Sequence, residues 1–346
     1  MRALVTGGAG FIGSALVRSL IGDDVPVLCL DALTYAGNRE NLTCVSKHPV
    51  FGFVEADIRD SPLVQDALRS FQPTVVFHLA AETHVDRSID NPAHVFETNI
   101  AGTYALLSEV TAYWNTLGGD EAAEFRFLQV STDEVFGSAG PEECFVESSR
   151  YAPNSPYAAS KASADYLVRT WAMAFGLPVL IGHGANTYGP CQFPEKLIPL
   201  MILNGIEGRP LPVYGDGRQV RDWIHVDDHV AGLRAIATRG QVGESYILSA
   251  RNPQTNLDVV QRLCRALDLR HPAGLPHEDL VEHVTDRPAH DRRYVSDPSK
   301  AEDDLGWAPE IAFDAGLLQT VGWYLDNMDW ALKTGERYDR MRLGLG

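Results

Sequence analysis

Two short stretches near the middle of the sequence combine side chains that can exchange protons. Ser131-Thr132-Asp133-Glu134 places two carboxyl groups beside two hydroxyl groups, and Tyr157 and Lys161 follow in the pattern Tyr-x-x-x-Lys. Residues four apart share one face of a helix, so the phenol and the ammonium would lie together. A free phenol has a pKa of about 10, and a nearby ammonium favours its ionised form. Tyr157 could then deprotonate a substrate hydroxyl during its oxidation, and the adjacent acid and base suggest an elimination built on that oxidation.

A glycine pattern at the start of the chain indicates where an oxidising cofactor would bind. Gly7, Gly10 and Gly13 lie between the first apolar strand and the first helix. The first glycine allows a tight turn, the second lets the backbone approach a pyrophosphate, and the third lets the helix pack closely on the sheet. Asp31 ends the second strand, where its carboxylate can accept hydrogen bonds from a ribose and repel a 2′-phosphate. The pattern therefore predicts NAD rather than NADP.

Further cofactor contacts are expected where later strands end. Asp57 and Ile58 follow the third strand and could flank an adenine, and small side chains follow the fourth. The predicted cofactor-binding residues are Gly7, Gly10, Phe11, Ile12, Gly13, Asp31, Thr34, Asp57, Ile58, Leu79, Ala80, Ala81, Thr98, Tyr157 and Lys161.

Short apolar strands alternate with helix-length segments over the first half of the chain. Such alternation predicts an α/β fold with a doubly wound parallel sheet of the Rossmann type, covered by helices on both faces. From about Tyr188 onward, prolines and glycines punctuate short segments, which predicts a smaller α+β substrate-binding lobe at the carboxyl ends of the strands. We expect residues 1–186, with returning segments at about 225–250 and 313–330, to form the NAD-binding domain. Residues 187–224, 251–312 and the C-terminal remainder would form the lobe.

Composition excludes several classes of function. A net charge of -17 argues against nucleic-acid binding, because phosphate backbones require clustered Lys and Arg. The five cysteines are scattered without metal-ligand spacing, so we expect reduced thiols and no metal. No run of apolar residues reaches the length of a membrane span, and the N-terminus reads as a strand rather than a targeting segment. The sequence therefore predicts a cytoplasmic enzyme with no membrane partner.

Longer motifs connect the chain with a known family. They cover residues 6–13, 31–38, 80–88, 131–134, 157–161, 193–199, 221–223 and 287–294. On these motifs the chain resembles the extended short-chain dehydrogenases/reductases, and among them it is most similar to the dTDP-glucose 4,6-dehydratase family. The resemblance runs from the first strand to Leu305-Gly306-Trp307, so it covers nearly the whole chain.

The resemblance implies an NAD-dependent hydro-lyase. Tyr157, beside Lys161, would deprotonate the 4-hydroxyl of a hexose while hydride passes from C4 to NAD, and Thr132 would hydrogen-bond O4. The ketone acidifies the C5 proton, which Glu134 would remove as Asp133 protonates the departing 6-hydroxyl. Hydride then returns to C6 and leaves a 4-keto-6-deoxy sugar. These duties require opposite environments, since Asp133 must stay protonated while Glu134 stays ionised.

The implied substrate is a nucleotide-diphosphate sugar, with dTDP-glucose as the first candidate. Arg221 and Arg287 match the family's diphosphate contacts, and guanidinium groups suit phosphate oxygens. Glu195 and residues 212–214 could shape the base site. The predicted substrate-binding residues are His84, Asn186, Glu195, Lys196, Leu197, Pro212, Tyr214, Arg221, Asn256, Arg287, His290 and Tyr294.

Some residues depart from the family pattern and keep alternatives open. Phe136 stands where the family has Tyr, and His183 and Thr187 stand where relatives commonly have Arg and Asn. Each could change the sugar or nucleotide accepted. An NDP-sugar 4-epimerase or decarboxylase would need NAD and Tyr157 but no acid–base pair at 133 and 134. A catalytically silent, nucleotide-binding regulatory protein would need no catalytic groups. The presence of Tyr157, Lys161, Asp133 and Glu134 argues against this alternative.

The resemblance also implies a homodimer. Related enzymes dimerise through two helices of each subunit, and residues 92–111 and 157–175 would form them here. Packing on the sheet would explain their apolar residues equally well.

Overall fold

A computed structural model describes residues 1–288 and 290–338. Its strands, in chain order, are β1 Ala3–Thr6, β2 Val27–Asp31, β3 Phe51–Glu55, β4 Val75–His78, β5 Arg126–Thr132, β6 Val179–Gly184, β7 Asn186–Tyr188, β8 Leu211–Tyr214, β9 Val220–His225, β10 Ser245–Leu248, β11 Pro253–Thr255 and β12 Val281–Val284.

The α-helices connect and cover these strands. They are α1 Phe11–Gly22, α2 Ser61–Phe71, α3 Val85–Asp90, α4 Pro92–Phe96, α5 Thr103–Trp114, α6 Gly119–Glu124, α7 Pro156–Phe175, α8 Leu197–Ile206, α9 Val226–Arg239, α10 Asn256–Arg270, α11 Ser299–Leu305, α12 Phe313–Asp326 and α13 Met328–Glu336. One π-helical turn, Glu97–Gly102, joins α4 to α5, and 3₁₀ turns occur at Arg39–Leu42, Asp133–Phe136 and His277–Leu280.

Seven parallel strands form the central sheet, in the order β10-β6-β5-β4-β1-β2-β3. Alternate residues of each strand enter two separate cores, because side chains alternate across a strand. Val5 and Phe77 face one core together with residues of α1 and α9, whereas Leu4 and Val76 face the other with residues of α2 and α5. Helices therefore cover both faces, and the predicted doubly wound Rossmann architecture is confirmed.

A smaller lobe packs around its own apolar core. Its strands form a three-stranded sheet in the order β11-β9-β7 and a parallel pair of β8 with β12. Tyr188, Met201, Trp223 and Leu263 lie fully or almost fully buried between these strands and helices α8, α10 and α12.

Two segments near the C-terminus belong to cores other than those expected. Residues 313–330 were expected to return to the NAD-binding domain, but Leu317 and Tyr324 of α12 lie in the core of the lobe. Conversely, Leu305 and Trp307 fall within the expected lobe range 251–312, yet they pack in the core beside the main sheet. The apolar face of a helix predicts burial without specifying which core the helix enters. Residues 339–346 of the expected C-terminal remainder lie outside the described residues.

The parallel arrangement brings the carboxyl ends of β1, β2, β4, β5 and β6 to one edge of the sheet, beside the lobe. Ligands bind at this edge in open α/β sheets. No helix in the described ranges is both long and apolar enough to cross a membrane.

Candidate active site

One continuous cavity runs along the carboxyl edge of the sheet. Every predicted cofactor-binding residue and every predicted catalytic residue lines it, from Gly7 in the glycine loop to Glu134 after β5. Of the predicted substrate-binding residues, three line the same cavity: Asn186, Glu195 and Lys196. The cofactor end and the proton-transfer end are therefore parts of a single space.

The glycine loop is shaped for a ligand that lies close to the backbone. Gly7 has φ +68, and a Cβ on it would lie 2.6 Å from the backbone nitrogen of Ala80. A Cβ on Gly13 would lie 2.1 Å from the carbonyl oxygen of Gly7, whereas a Cβ on Gly10 would meet only that oxygen, at 3.3 Å. Gly7 and Gly13 are thus required by the turn itself. Gly10 is the N-cap of α1, and backbone N–H groups at a helix N-terminus suit an anion.

Asp31 lies buried at the end of β2 and lines the cavity. Its Oδ2 accepts a hydrogen bond from the Ala9 backbone at 2.8 Å, and its Oδ1 accepts one from the Leu33 backbone at 2.8 Å. These bonds fix the carboxylate between the glycine loop and the loop after β2. The position suits a ribose, as the sequence predicts, and the residues around the cavity fit NAD.

Tyr157 and Lys161 share the buried side of α7. Ser155 caps this helix by accepting a hydrogen bond from the Ala158 backbone at 3.1 Å, and Pro156 occupies its first turn. Lys161 Nζ donates to the carbonyl oxygen of Val130 at 2.7 Å. Burial lowers the pKa of Lys161 to about 8.

The protein's own groups raise the pKa of the Tyr157 phenol. Burial and the carboxylates of Glu134 and Asp133 raise the pKa of Tyr157, and a hydrogen bond with Thr132 opposes them. The protein's own groups therefore favour the protonated phenol, and the positive nicotinamide ring of NAD would act with Lys161 in the opposite direction.

Asp133 and Glu134 occupy the 3₁₀ turn that follows β5, and their environments differ. Asp133 is 1% exposed, and its Oδ2 has no hydrogen-bond partner within the described part of the chain. Burial, then the charge of Glu134, raises the pKa of Asp133 well above its usual range. Burial also raises the pKa of Glu134 above its usual value, although the nearby charges of Arg287, Lys196 and Arg221 oppose that increase. The arrangement favours a protonated Asp133 beside an ionised Glu134.

The two predicted phosphate-binding arginines lie near the acid pair but already have protein partners. Arg221 is buried, donates to the Asp291 carbonyl oxygen at 2.9 Å and stacks on Tyr294, with Cζ 4.2 Å from the ring centre. Arg287 donates to Asp86 Oδ1 at 2.6 Å. An anionic ligand would therefore share or displace these contacts.

Glu195 and His84 have structural partners that the sequence did not reveal. The Glu195 carboxylate accepts hydrogen bonds from the Tyr35 hydroxyl at 2.9 Å and from Arg87 Nε at 3.2 Å. His84 caps α3 by accepting a hydrogen bond from the Arg87 backbone at 3.2 Å. Burial lowers the pKa of His84 to about 2, so its ring is neutral. Lys196 Nζ donates to the Thr83 carbonyl oxygen at 2.8 Å.

The remaining predicted substrate-binding residues lie in the lobe. His290 is hydrogen-bonded to Asp286 at 2.6 Å, and its ring meets that of Tyr214 edge to face. Pro212 lies in β8, while Leu197 and Asn256 are the first residues of α8 and α10. Leu197 packs against the lobe core. The structure therefore divides the predicted set between the cavity and the lobe.

Several cavity residues were not identified as site residues from the sequence. Gln192, Phe193 and His229 also line the cavity. His229 Nδ1 is 2.8 Å from the hydroxyl oxygen of Thr187, and a Cβ on Gly184 would lie 2.4 Å from its ring. Phe193 lies within a recognised motif, but His229 is on α9, and no local pattern connects that helix with the sheet edge.

A comparison with known families shows which family the chain belongs to. Residues 4–320 match the family model described as GDP-mannose 4,6 dehydratase. The chain belongs to this family. The dTDP-glucose 4,6-dehydratase of Salmonella typhimurium is a 48% identical relative over 340 residues, covering 95% of this chain and 94% of that protein. The resemblance predicted from the motifs is confirmed.

Solved structures of similar enzymes have the same fold as this chain. The dTDP-glucose 4,6-dehydratase DesIV of Streptomyces venezuelae, with NAD bound, is 43% identical and superposes with a TM-score of 0.87, covering 95% of this chain and 98% of that chain. The UDP-glucose 4-epimerase of Thermus thermophilus, also in complex with NAD, is 29% identical with a TM-score of 0.83, covering 94% of this chain and 100% of that chain. The scaffold is therefore shared by dehydratases and epimerases.

Proposed function

We propose that this chain is an NAD-dependent lyase that converts dTDP-glucose to the 4-keto-6-deoxy sugar and water. The observation that carries the proposal is the single cavity that joins the glycine loop to Tyr157, Asp133 and Glu134. The relatives named dTDP-glucose 4,6-dehydratase, 48% identical over nearly the full chain, support the choice of reaction and nucleotide sugar.

The first stage is oxidation at C4. Tyr157 accepts the proton of the sugar 4-hydroxyl, and Thr132, its hydrogen-bond partner, holds O4 in place. NAD, when bound along the glycine loop, supplies the hydride chemistry: it accepts hydride from C4 and later returns it to C6. Lys161 lies one turn from Tyr157 on the same face of α7, where its charge helps to stabilise the phenolate.

The second stage is elimination of water across C5 and C6. Glu134 takes the C5 proton, which the new ketone has acidified, and Asp133 gives its proton to the departing 6-hydroxyl. Glu134 then returns a proton to C5 as C6 is reduced, so one water molecule is lost and no net oxidation occurs. The buried Asp133, adjacent to an ionised carboxylate, has the raised pKa that a general acid needs.

The acid–base pair distinguishes this proposal from the alternatives. An epimerase or decarboxylase on the same scaffold does not eliminate water across C5 and C6, so it needs no acid–base pair at Asp133 and Glu134. A silent regulatory protein has no need of Tyr157, Lys161 and the pair in one cavity. The higher identity to dehydratases than to the epimerase also favours dehydration.

Incubation of the purified protein with NAD and dTDP-glucose tests the proposal. We expect a product that is lighter by one water molecule in mass spectrometry and that absorbs in alkali as a 4-keto-6-deoxy sugar. UDP-, CDP- and GDP-glucose in parallel define the preferred base. A product of unchanged mass would indicate epimerisation, and no product from any of the four would refute the proposal.

We further propose that the protein is a homodimer that pairs through α4, α5 and α7. Exposed aromatic side chains on these helices support it: Tyr104 is 55% exposed, Tyr166 is 58% exposed and Phe175 is 55% exposed. Trp171 connects Tyr104 to Phe175 through ring contacts at 5.8 Å and 5.2 Å. A second copy of the same surface would bury this patch.

A further inference from the structure

A buried carboxylate on α7 has no part in the proposed proton transfers. Asp165 lies one helical turn after Lys161, so the two side chains share the face of α7 that packs against β5. Asp165 is 0% exposed and Lys161 is 5% exposed. An uncompensated charge at such a position is strongly destabilising, so a buried carboxylate needs a partner.

Neutral groups orient the carboxylate of Asp165. Ser131 Oγ donates to its Oδ2 at 2.6 Å, and the Tyr151 hydroxyl donates to the same oxygen at 3.1 Å. His183 of β6 approaches from the other side, with Nδ1 3.9 Å from Oδ2. Burial lowers the pKa of His183 to about 3, so this ring is neutral and does not balance the charge.

Lys161, one helical turn before Asp165, is the positive group whose charge acts most strongly on its carboxylate. Positive groups on the same helix, Lys161 more strongly than Arg169, lower the pKa of Asp165, which burial raises to about 6. In return, Asp165 raises the pKa of Lys161 against the effect of burial. Burial, and then the charge of Lys161, lowers the pKa of His78 of β4 to about 3, so this ring is neutral as well.

The same two residues also hold the strand that carries the catalytic turn. Lys161 donates to the carbonyl oxygen of Val130, and Asp165 accepts from the side chain of Ser131. These consecutive residues of β5 lead directly into Thr132 and the acid–base pair. Loss of either hydrogen bond would displace Asp133 and Glu134, the groups proposed to exchange protons with the 6-hydroxyl and C5.

We infer that Asp165 is a positioning residue for the dehydration: its negative charge keeps Lys161 in the charged form, and its hydrogen bonds fix the end of β5 against α7. The inference rests on the proposed function, since it assigns Asp165 a part in that reaction. Asp165 does not line the cavity, so it would support Lys161 without contacting substrate or cofactor.

Asp165→Asn separates the charge from the hydrogen bonds, because the amide oxygen can still accept from Ser131 and Tyr151. Lys161 acts in its charged form, so activity is lost as the pH rises through its pKa, which is about 8 in the native protein. Loss of a nearby opposite charge lowers an ammonium pKa by about 1–3. We expect the alkaline limb of the kcat/KM profile to move to lower pH by at least about 1. Above that limb, kcat/KM should fall at least tenfold, since one pH unit is about a factor of ten.

Tyr151→Phe is the matched control, since it removes one donor to Asp165 but keeps the charge. Its alkaline limb should stay where it is in the native protein. An unmoved limb in Asp165→Asn would overturn the inference, and so would equal shifts in both variants, which would indicate a purely structural role.

A stability measurement tests the interaction of Asp165 with Lys161 and needs no enzyme assay. It therefore remains informative if the proposed reaction is wrong, or if the single variant Asp165→Asn does not fold. Lys161→Met leaves the carboxylate of Asp165 unpaired in the interior. Adding Asp165→Asn removes that unpaired charge, so the double variant should unfold at a higher urea concentration than Lys161→Met alone. The opposite order would refute the pairing of Asp165 with Lys161.

Discussion

At the scale of single residues, the proposed roles of Asp133 as acid and Glu134 as base depend on their surroundings rather than on residue type. Both are carboxylic acids, yet Asp133 is buried next to a like charge whereas Glu134 lies within the influence of Arg221, Arg287 and Lys196. A like charge disfavours ionisation and opposite charges favour it. Neighbouring positions in one turn can thus act as acid and base at the same pH.

Glu134→Gln should separate oxidation from elimination. The amide cannot accept the C5 proton, so we expect NAD binding and reduction of enzyme-bound cofactor to persist while turnover falls by about 10²–10⁴. Cofactor absorbance and exchange of the C5 hydrogen with deuterated water measure the two stages. Glu142→Gln, at an exposed loop position, is the control and should behave as the native protein. Normal turnover in Glu134→Gln would assign the base to another group.

At the scale of elements, the β1-loop-α1 unit determines where the cofactor lies. Its turn depends on Gly7, whose positive φ and contact with the backbone of Ala80 leave no room for a side chain. The carboxylate of Asp31 ties this unit to the end of β2 through the Ala9 backbone. The glycine loop is therefore held from two neighbouring strands.

Gly7→Ala should weaken NAD binding and destabilise the fold. The added Cβ would lie 2.6 Å from Ala80 N, and a non-glycine residue at this φ costs about 1–3 kcal/mol. Calorimetric titration with NAD and urea unfolding measure the two effects. Gly22→Ala at the end of α1 makes the same chemical change where a Cβ meets nothing within 4 Å, and it should be close to neutral. Equal behaviour of the two variants would contradict the packing argument.

At the scale of the whole molecule, a dehydratase and an epimerase share the same arrangement of sheet and lobe, with TM-scores of 0.87 and 0.83. Fold alone therefore does not select the reaction, and we propose that the acid–base turn after β5 does. The same scale applies to assembly, because the exposed aromatic patch on α5 and α7 lies on the outer surface of the main domain.

Tyr104→Glu should convert a dimer to a monomer. A charge introduced into the centre of an apolar contact is desolvated without a partner, which opposes association. Light scattering at micromolar concentration gives the mass of each form. Leu269→Glu is the control, since Leu269 is 71% exposed on α10, away from the patch. A monomeric native protein, or a dimeric Tyr104→Glu variant, would reject the proposed interface.

The sequence by itself determined the features that depend on local pattern. Apolar strands alternating with helices fixed the sheet class, and the spacing of Gly7, Gly10, Gly13 and Asp31 located the cofactor end, because each of these signals lies within a few consecutive residues. The motif around Tyr157 likewise predicted a helix and the shared face of its two functional groups.

Only the tertiary structure decided what those residues meet. It placed α12 in the lobe and Trp307 beside the main sheet, engaged Glu195 with Tyr35, and brought Asp165 beside Lys161 beneath the catalytic strand. Packing partners and burial depend on residues far apart in the chain, and burial sets the pKa of each buried acid and base. Local periodicity contains no information about either, which is why the charge state of Tyr157 could not be read from its neighbour alone.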